Sequence, residues 1–201
     1  MKYKEHLQKD ALLGKIINEE THQLVLHKNI PLRLMASIMS QQLSTKVAAV
    51  IFKRFLEIYN GNEPTPQQVV DTPFEVLRGI GLSNNKVRYI QNVASFCIEN
   101  NVTDTLLLEM NNEEIVALLT QIKGVGQWTV EMLLMFSLGR EDVFAVDDLG
   151  IQQAMQRLFN IETDNKKQMK QQMIAIADKW KPYRSYACLH LWKWKDAVKT
   201  A

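Results

Sequence analysis

The chain is poor in cysteine and in clustered metal ligands. Its 201 residues contain only two cysteines, Cys97 and Cys188, and each lies in an apolar helical context, so we expect buried thiols. The four histidines show no metal-ligand spacing. These scarcities argue against a disulfide framework, a zinc site or an iron–sulfur cluster, and we expect no cofactor for catalysis.

Long apolar runs and an excess charge of one sign are also missing. No stretch approaches the roughly 18 apolar residues that span a bilayer, and the charged start of the chain differs from a signal peptide. We therefore expect an intracellular protein, in the cytoplasm or at the nucleoid, with no membrane association. Lys and Arg number 24 against 22 Asp and Glu, a formal net charge of +2. This balance permits nucleic-acid binding but confines any basic surface to a local patch.

The chain has no Gly/Ser linker and no low-complexity segment that would mark a domain boundary. Its hydrophobic content of 46% is sufficient for one substantial core or for two small lobes sharing a groove. We expect a single unit, residues 1–201, that acts as a monomer.

Helical periodicity runs through almost the whole sequence. Apolar residues recur three and four positions apart in residues 10–17 and 31–39, whereas the strand-like run 143–146 is too short to build a sheet. Thr65 and Thr72 each precede a proline and are followed three residues later by Gln or Glu, a pattern typical of a capped helix start. The sequence therefore predicts an all-α protein of roughly ten helices.

The segment IKGVGQWT, residues 122–129, predicts a turn between two helices that binds an anion. Gly124 and Gly126 allow a tight turn with several backbone N–H groups directed outward. A helix that starts near Gln127 adds its N-terminus, where unpaired N–H groups and the helix dipole favour negative charge. A phosphate is the expected ligand, and an ordinary αα-hairpin without a ligand is the alternative.

Five segments together resemble the helix-hairpin-helix DNA glycosylase superfamily. They are its hairpin (KGVGQWT, residues 123–129), its catalytic aspartate segment (VFAVDDL, 143–149), and three motifs of its alkyladenine branch, the DNA-3-methyladenine glycosylase II type (SQQLSTK, 40–46; GLS, 81–83, with Lys86; WKPYRSYACLHLW, 180–192). The resemblance covers about residues 31–194 and is to compact forms without an N-terminal sheet domain. It implies a two-lobed helical fold with the hairpin at about residues 113–138 and the active-site cleft between the lobes.

The resemblance implies a monofunctional DNA glycosylase of base excision repair. Such an enzyme hydrolyses the N-glycosidic bond of alkylated purines, of the 3-methyladenine and 7-methylguanine type, in duplex DNA and leaves an abasic site. The match assigns the catalytic carboxylate to Asp148, with Asp147 as the alternate or as a helix cap, while the alternative is that both aspartates only cap the next helix. Trp128 stands where members that also cut the backbone carry a Schiff-base lysine, so no AP lyase activity is expected.

Further site residues follow from the same resemblance. Trp128 and Trp192 are assigned to the base pocket, where an indole face attracts a cationic alkylated purine by stacking worth about 0.5–2 kcal/mol. Leu43 is the candidate for the wedge that fills the gap left by an extruded nucleotide, or it only closes the core between two helices. The residues assigned to DNA contacts are Gly124, Val125, Gly126, Gln127, Thr129, Gln42, Leu43 and Lys86.

A structural Na⁺ or K⁺ at the hairpin is implied by the resemblance alone. Its ligands would be the backbone carbonyls of Thr120, Ile122 and Val125, and carbonyl oxygens suit such a hard ion. The expected partner is duplex DNA that contains alkylated bases. Two alternative functions stay open: a related glycosylase with a different lesion preference, and a non-catalytic helix-hairpin-helix DNA-binding protein.

Overall fold

The structure, a computed structural model, describes residues 1–199 and confirms the all-α fold. Within this range the chain forms twelve α-helices and two short 3-10 helices, and strand pairing is limited to one isolated antiparallel bridge between Leu26 and Leu138. The helices are α1 Lys2–Leu7, α2 Ile30–Ser40, α3 Thr45–Glu57, α4 Pro66–Asp71, α5 Phe74–Gly79, α6 Asn84–Glu99, α7 Asp104–Glu109, α8 Asn112–Leu119, α9 Gln127–Phe136, α10 Leu149–Phe159, α11 Lys166–Ala177 and α12 Arg184–Lys199.

One of the two predicted Thr caps is present and the other is absent. Thr65 forms the full capping box: its Oγ1 accepts from the Gln68 N–H, and Gln68 Oε1 accepts from the Thr65 N–H over 2.9 Å. Thr72 instead ends α4, because its hydroxyl donates to the Gln68 carbonyl over 2.7 Å and contacts the Tyr59 hydroxyl. The prediction of a cap at Thr72 was therefore wrong.

The predicted helix at residues 10–17 is also replaced by a tighter structure. Only a 3-10 helix, Leu13–Lys15, forms there. Asp10 Oδ1 accepts from the N–H groups of Leu12 and Leu13, each over 3.0 Å, and this local hydrogen bonding competes with an α-helical turn.

The chain divides into two units. The central unit comprises Leu26–Leu138 and contains α2 to α9. Its middle is α6, which packs against α2 and α4 with Val87, Ile90 and Val93 fully buried. Burial of this helix face stabilises the unit, since each large apolar side chain removed from water contributes about 1.5–3 kcal/mol.

The terminal unit comprises Met1–Val25 and the chain from Gly139 onward. Trp180 is buried there, and its Nε1 donates to Asp10 Oδ2 over 3.0 Å. Ser185 anchors the segment before α10, because its hydroxyl donates to the Arg140 carbonyl over 2.6 Å and accepts from the Val143 N–H over 3.0 Å. These bonds hold residues 140–143 against the first turn of α12, and the predicted short run 143–146 takes part in no sheet of the described chain.

Cys97 and Cys188 are buried and form no disulfide bond within the described residues, as predicted. Burial raises the pKa of the Cys97 thiol to about 12, so this thiol stays protonated. Among the helices of residues 1–199, none is long and apolar enough to cross a membrane.

Candidate functional site

Asp148 lies at the start of α10 and is held by two hydrogen bonds to one oxygen. It is the N-cap residue, with extended backbone, and its Oδ1 accepts from the Ile151 N–H over 2.9 Å. The same Oδ1 accepts from Trp192 Nε1, on α12, over 2.7 Å. A carboxylate fixed by one backbone donor and one side-chain donor is oriented before any ligand arrives.

Gly150 leaves the space that this arrangement needs. A Cβ atom built on Gly150 would lie 3.0 Å from Asp148 Oδ1, 3.0 Å from Trp192 Cδ1 and 3.2 Å from Lys195 Nζ. The Lys195 ammonium and the Asp148 carboxylate therefore both lie close to Gly150. Lys195 Nζ also forms an ion pair with Asp196 over 3.1 Å. Lys195 was not among the predicted site residues, although its spacing of three residues from Trp192 on a helix indicates a shared face.

Asp147 has a different environment from Asp148. Its carboxylate forms an ion pair with Lys170 of α11, and both side chains are a little over one third exposed. The expectation that Asp147 caps the helix was wrong, because Asp148 occupies that position. The two neighbouring carboxylates therefore differ: Asp148 caps α10 and accepts from an indole N–H, whereas Asp147 forms a partly exposed ion pair with Lys170.

The predicted hairpin lies between α8 and α9 and requires glycine at one position. Gly124 has a φ of +103°, and a Cβ there would approach the Tyr89 ring to 2.2 Å, so neither the backbone nor the space allows a side chain. The Val125 N–H donates to the Ile122 carbonyl over 3.0 Å and closes the turn. Gly126 is the N-cap of α9 and has no side chain to accept from the first-turn N–H groups, which favours an external anion at this end.

The other hairpin residues assigned to DNA differ in accessibility. Gln127 is exposed, and its amide donates to Glu131 Oε1 over 2.9 Å. Thr129 is only 3% exposed and accepts from Gln41 Nε2 over 3.3 Å. A DNA contact of Thr129 would therefore have to come from its backbone.

The loop that carries the wedge candidate connects α2 to α3. Gln42 adopts a left-handed backbone with φ of +59°, and Leu43 is 38% exposed. Lys86 does not extend into solvent: its Nζ donates to the carbonyls of Met39 over 2.9 Å and of Gln41 over 2.7 Å. Burial lowers the pKa of the Lys86 ammonium.

Trp128 borders a groove of about 500 Å³ in the central unit. The groove is mainly apolar, with small residues from α2 and α3 opposite larger ones from α9. Its lining comprises Arg33, Ala36, Ser37, Ser40, Thr45, Ala48, Ala49, Phe52, Trp128, Met132, Leu133, Phe136 and Ser137. Trp192, assigned to the same pocket from the sequence, belongs to the terminal unit, and its indole N–H is bonded to Asp148.

The carbonyls assigned to a hairpin cation lie at and beyond the end of α8. Thr120 is the C-cap residue, so its carbonyl lies at the negative end of the helix dipole. Ile122 already accepts one hydrogen bond, from the Val125 N–H, and a carbonyl retains a second lone pair. This donor set suits a monovalent cation. Among residues 1–199, no group of three or more His, Cys, Asp or Glu side chains is arranged to hold a metal ion.

Comparisons with known proteins place this geometry in a family. Residues 35–180 match the HhH-GPD superfamily of base excision DNA repair proteins. DNA-3-methyladenine glycosylase 1 of Schizosaccharomyces pombe is 39% identical over 162 residues, which cover 80% of this chain and 70% of that protein.

Two solved structures agree with this match. The 3-methyladenine DNA glycosylase of Schizosaccharomyces pombe in complex with abasic DNA is 34% identical with a TM-score of 0.82, and 96% of each chain is covered. A DNA-3-methyladenine glycosidase from Bacillus halodurans is 34% identical with a TM-score of 0.84, covering 98% of this chain and 91% of that one. This chain belongs to the HhH-GPD superfamily of base excision DNA repair proteins.

Proposed function

We propose that this protein is a monofunctional DNA glycosylase that removes alkylated purines from duplex DNA. It hydrolyses the N-glycosidic bond of bases such as 3-methyladenine and 7-methylguanine and leaves an abasic site for base excision repair. The names of its relatives support the substrate class, since the similar proteins of Schizosaccharomyces pombe and Bacillus halodurans are 3-methyladenine enzymes.

The observation that carries the proposal is the fixed carboxylate of Asp148. When the bond from C1′ to the base breaks, the electron pair leaves with the base and positive charge develops on the sugar. Asp148, oriented by the Ile151 N–H and Trp192 Nε1, stabilises that charge, and a water molecule adds to C1′ while the carboxylate orients it or takes its proton.

Alkylated purines are better leaving groups than ordinary bases and therefore require less catalysis by the protein. A purine methylated at N3 or N7 is cationic in the nucleotide and departs as a neutral base, so no strong general acid is required. The groove beside Trp128 offers an apolar, partly aromatic surface of a size suited to a purine. An indole face also attracts the positive charge of the damaged base.

Trp128 supports hydrolysis without strand cutting. An indole cannot form a Schiff base with the sugar, and Trp128 occupies the hairpin position where the lyase members of the superfamily carry lysine. The reaction therefore stops at the abasic site.

We propose that the hairpin of the central unit binds the DNA backbone. The N–H groups of the turn at Gly124 and Gly126 bind a phosphate, which positions the duplex without reading its sequence. The carbonyls of Thr120, Ile122 and Val125 would hold a Na⁺ or K⁺ that adds positive charge at the turn. We further propose that the protein acts inside the cell and as a monomer. Sedimentation at increasing protein concentration would test the monomeric state.

The decisive experiment is excision from methylated duplex DNA by wild type and Asp148→Asn. Asn keeps the helix cap, because its side-chain oxygen can still accept from the Ile151 N–H, so the variant should fold. We expect loss of at least about 100-fold in the single-turnover excision rate. Alkali treatment after incubation reveals the abasic sites, and release of methylpurines is compared with release of uracil and hypoxanthine.

Two matched variants make this experiment specific. Asp164→Asn removes a carboxylate from an exposed position in the same unit and should leave excision unchanged. Asp147→Asn tests the alternate residue, and a larger loss there than at Asp148 would transfer the catalytic role to it. Full activity of Asp148→Asn would contradict the catalytic role of Asp148, and no excision by wild type would favour a DNA-binding protein without this chemistry. Strand cutting before alkali would contradict the monofunctional reaction.

A further inference from the structure

Lys86 occupies a position that is electrostatically unfavourable on its own helix. It lies in the first turn of α6, where Ser83 caps the helix and the dipole is positive, so a lysine ammonium there is repelled. Its Nζ compensates by donating to the carbonyls of Met39 and Gln41, over 2.9 and 2.7 Å. These are carbonyls at the C-terminal end of α2, where a cation is favourable. Lys86 thus joins α6 to the end of α2.

The segment that Lys86 holds is the four-residue connection between α2 and α3. Gln42, in the middle of it, has a φ of +59°, a conformation that residues with a side chain rarely adopt. The Gln41 side chain is bonded to the buried Thr129 of α9, and Ser44 caps α3 by accepting from the Val47 N–H. Hydrogen bonds with residues of α6, α9 and α3 therefore hold the connection, while the Leu43 side chain remains 38% exposed.

We propose that Lys86 is a positioning residue for DNA opening. It sets the backbone of residues 41–44 so that Leu43 enters the base stack when a nucleotide is extruded, and it does not itself contact a phosphate. This inference rests on the proposed function. A side chain that fills a gap in a duplex inserts more favourably from a rigid loop. In a flexible loop, the free-energy cost of ordering the backbone would offset part of the gain from insertion. The strained backbone at Gln42 persists only because its surroundings hold it.

The test separates DNA opening from base removal. A duplex with a stable abasic-site analogue and 2-aminopurine beside it reports insertion of the wedge by fluorescence, with no need for chemistry. The variants are Lys86→Met, Leu43→Ala and their combination, and Lys46→Met is the control that removes an exposed lysine of the first turn of α3. Failure of the proposed function would abolish excision in wild type yet leave this signal measurable.

We expect Lys86→Met and Leu43→Ala each to lower the opening equilibrium by about tenfold or more. The double variant should be no worse than Leu43→Ala alone, because both changes remove the same insertion. Lys86→Arg, which retains a cationic donor, should recover most of the signal. Lys46→Met should leave the opening equilibrium at the wild-type value.

Other outcomes overturn the inference. Additive losses in the double variant, an unaffected Lys86→Met, or an unaffected Leu43→Ala would each do so. A Lys86→Met variant whose salt dependence of binding falls by about one unit of slope would make Lys86 a phosphate contact instead. If Lys86→Met does not fold, Gln41→Ala loosens the same loop by removing the side-chain bond to Thr129 and leaves Lys86 unchanged, and wild-type opening by that variant contradicts the proposal.

Discussion

Trp192 Nε1 donates a hydrogen bond of 2.7 Å to Asp148 Oδ1, and so links α12 to the N-cap residue of α10. The indole is thereby oriented by its N–H edge as well as by packing. A tryptophan that the sequence assigns to the base pocket has a second task, which is to hold the carboxylate proposed to do the chemistry. The two tasks can be separated experimentally, since one needs the ring and the other needs the N–H group.

Trp192→Phe keeps an aromatic face but removes the donor. Hydrogen bonds to charged groups contribute about 1.5–3 kcal/mol, so we expect the single-turnover rate to fall about ten- to hundredfold. Affinity for a duplex with an abasic-site analogue should stay near the wild-type value. Trp194→Phe is the matched control, because its ring lies under Arg157, and it should keep the wild-type rate. Equal losses in both variants would contradict the assigned role.

Gly150→Ala should separate stability from activity. Alanine favours a helix interior over glycine by about 0.5–1 kcal/mol, and crowding of the Asp148 cap offsets this gain, so the melting temperature should stay close to the wild-type value. The added Cβ would press on Asp148 Oδ1 and the Trp192 ring at 3.0 Å each, and we expect the excision rate to fall about tenfold. Gly79→Ala, where a Cβ meets nothing within 4 Å, is the control for the helix effect. A Gly150→Ala enzyme with full activity would show that the carboxylate tolerates displacement.

The two hairpin glycines should respond differently to alanine. Gly124→Ala forces a side chain into the Tyr89 ring at a φ of +103°, and we expect the free energy of unfolding to fall by at least about 1–3 kcal/mol. Gly126 has a φ of −96°, and a Cβ added there would meet nothing within 4 Å, so Gly126→Ala should lower the unfolding midpoint much less than Gly124→Ala, by the loss of a preferred N-cap residue alone. Urea denaturation of both variants measures the difference, and equal midpoints would contradict the close approach of Tyr89.

Acid should destabilise the terminal unit through a buried histidine. His190 is 1% exposed, and neither ring nitrogen has a hydrogen-bond partner among the described residues. Burial, with the nearby charges of His22 and Lys4 adding to it, lowers the pKa of His190 from 6.5 to about 4. Tyr3 also faces the ring, at 6.2 Å between centroids. His22 packs edge-on at 4.7 Å, and burial lowers its pKa as well.

The sign follows from which state binds the proton. Between pH 6.5 and pH 4 the unfolded chain binds a proton at His190 that the folded protein does not, so stability decreases as the pH falls through this window. Each unit crossed lowers the free energy of unfolding by up to about 1.4 kcal/mol. His190→Phe should flatten this dependence, and His27→Gln, at an exposed position, should not. An unchanged slope in His190→Phe would assign the acid sensitivity to other groups.

Features carried by a few neighbouring residues could be predicted from the sequence. The capping box at Thr65 and the tight turn at Gly124 depend on hydrogen bonds and dihedral angles within a short segment, and both are present. Thr72 has the same local pattern as Thr65 and nevertheless fails, because its hydroxyl finds the Gln68 carbonyl and Tyr59 instead. A local pattern predicts a structure only when no neighbouring element offers the same group a better partner.

The site required information from distant parts of the chain. Asp148 and Trp192 are 44 residues apart, and Lys86 is 45 residues from Gln41. Neither spacing carries a signal in the sequence, because the angle and register at which helices pack determine which side chains meet. The resemblance assigned Lys86 to DNA contacts, and nothing in the sequence indicated that its ammonium is bonded to the carbonyls of Met39 and Gln41.

The sequence alone predicted the helical class and the hairpin, and it pointed to Asp147 and Asp148 as candidates. Helix periodicity, glycine torsions and motif composition are properties of short segments, so they can be recognised without the fold. Packing assigned the partners: Trp192 to Asp148, Lys170 to Asp147, and Lys86 to the end of α2. Two adjacent aspartates are chemically identical in the sequence and become different only in the fold, where Asp148 caps α10 and accepts from an indole N–H while Asp147 forms an ion pair with Lys170. The physical reason is that a carboxylate's orientation depends on the donors around it, and those donors come from other helices.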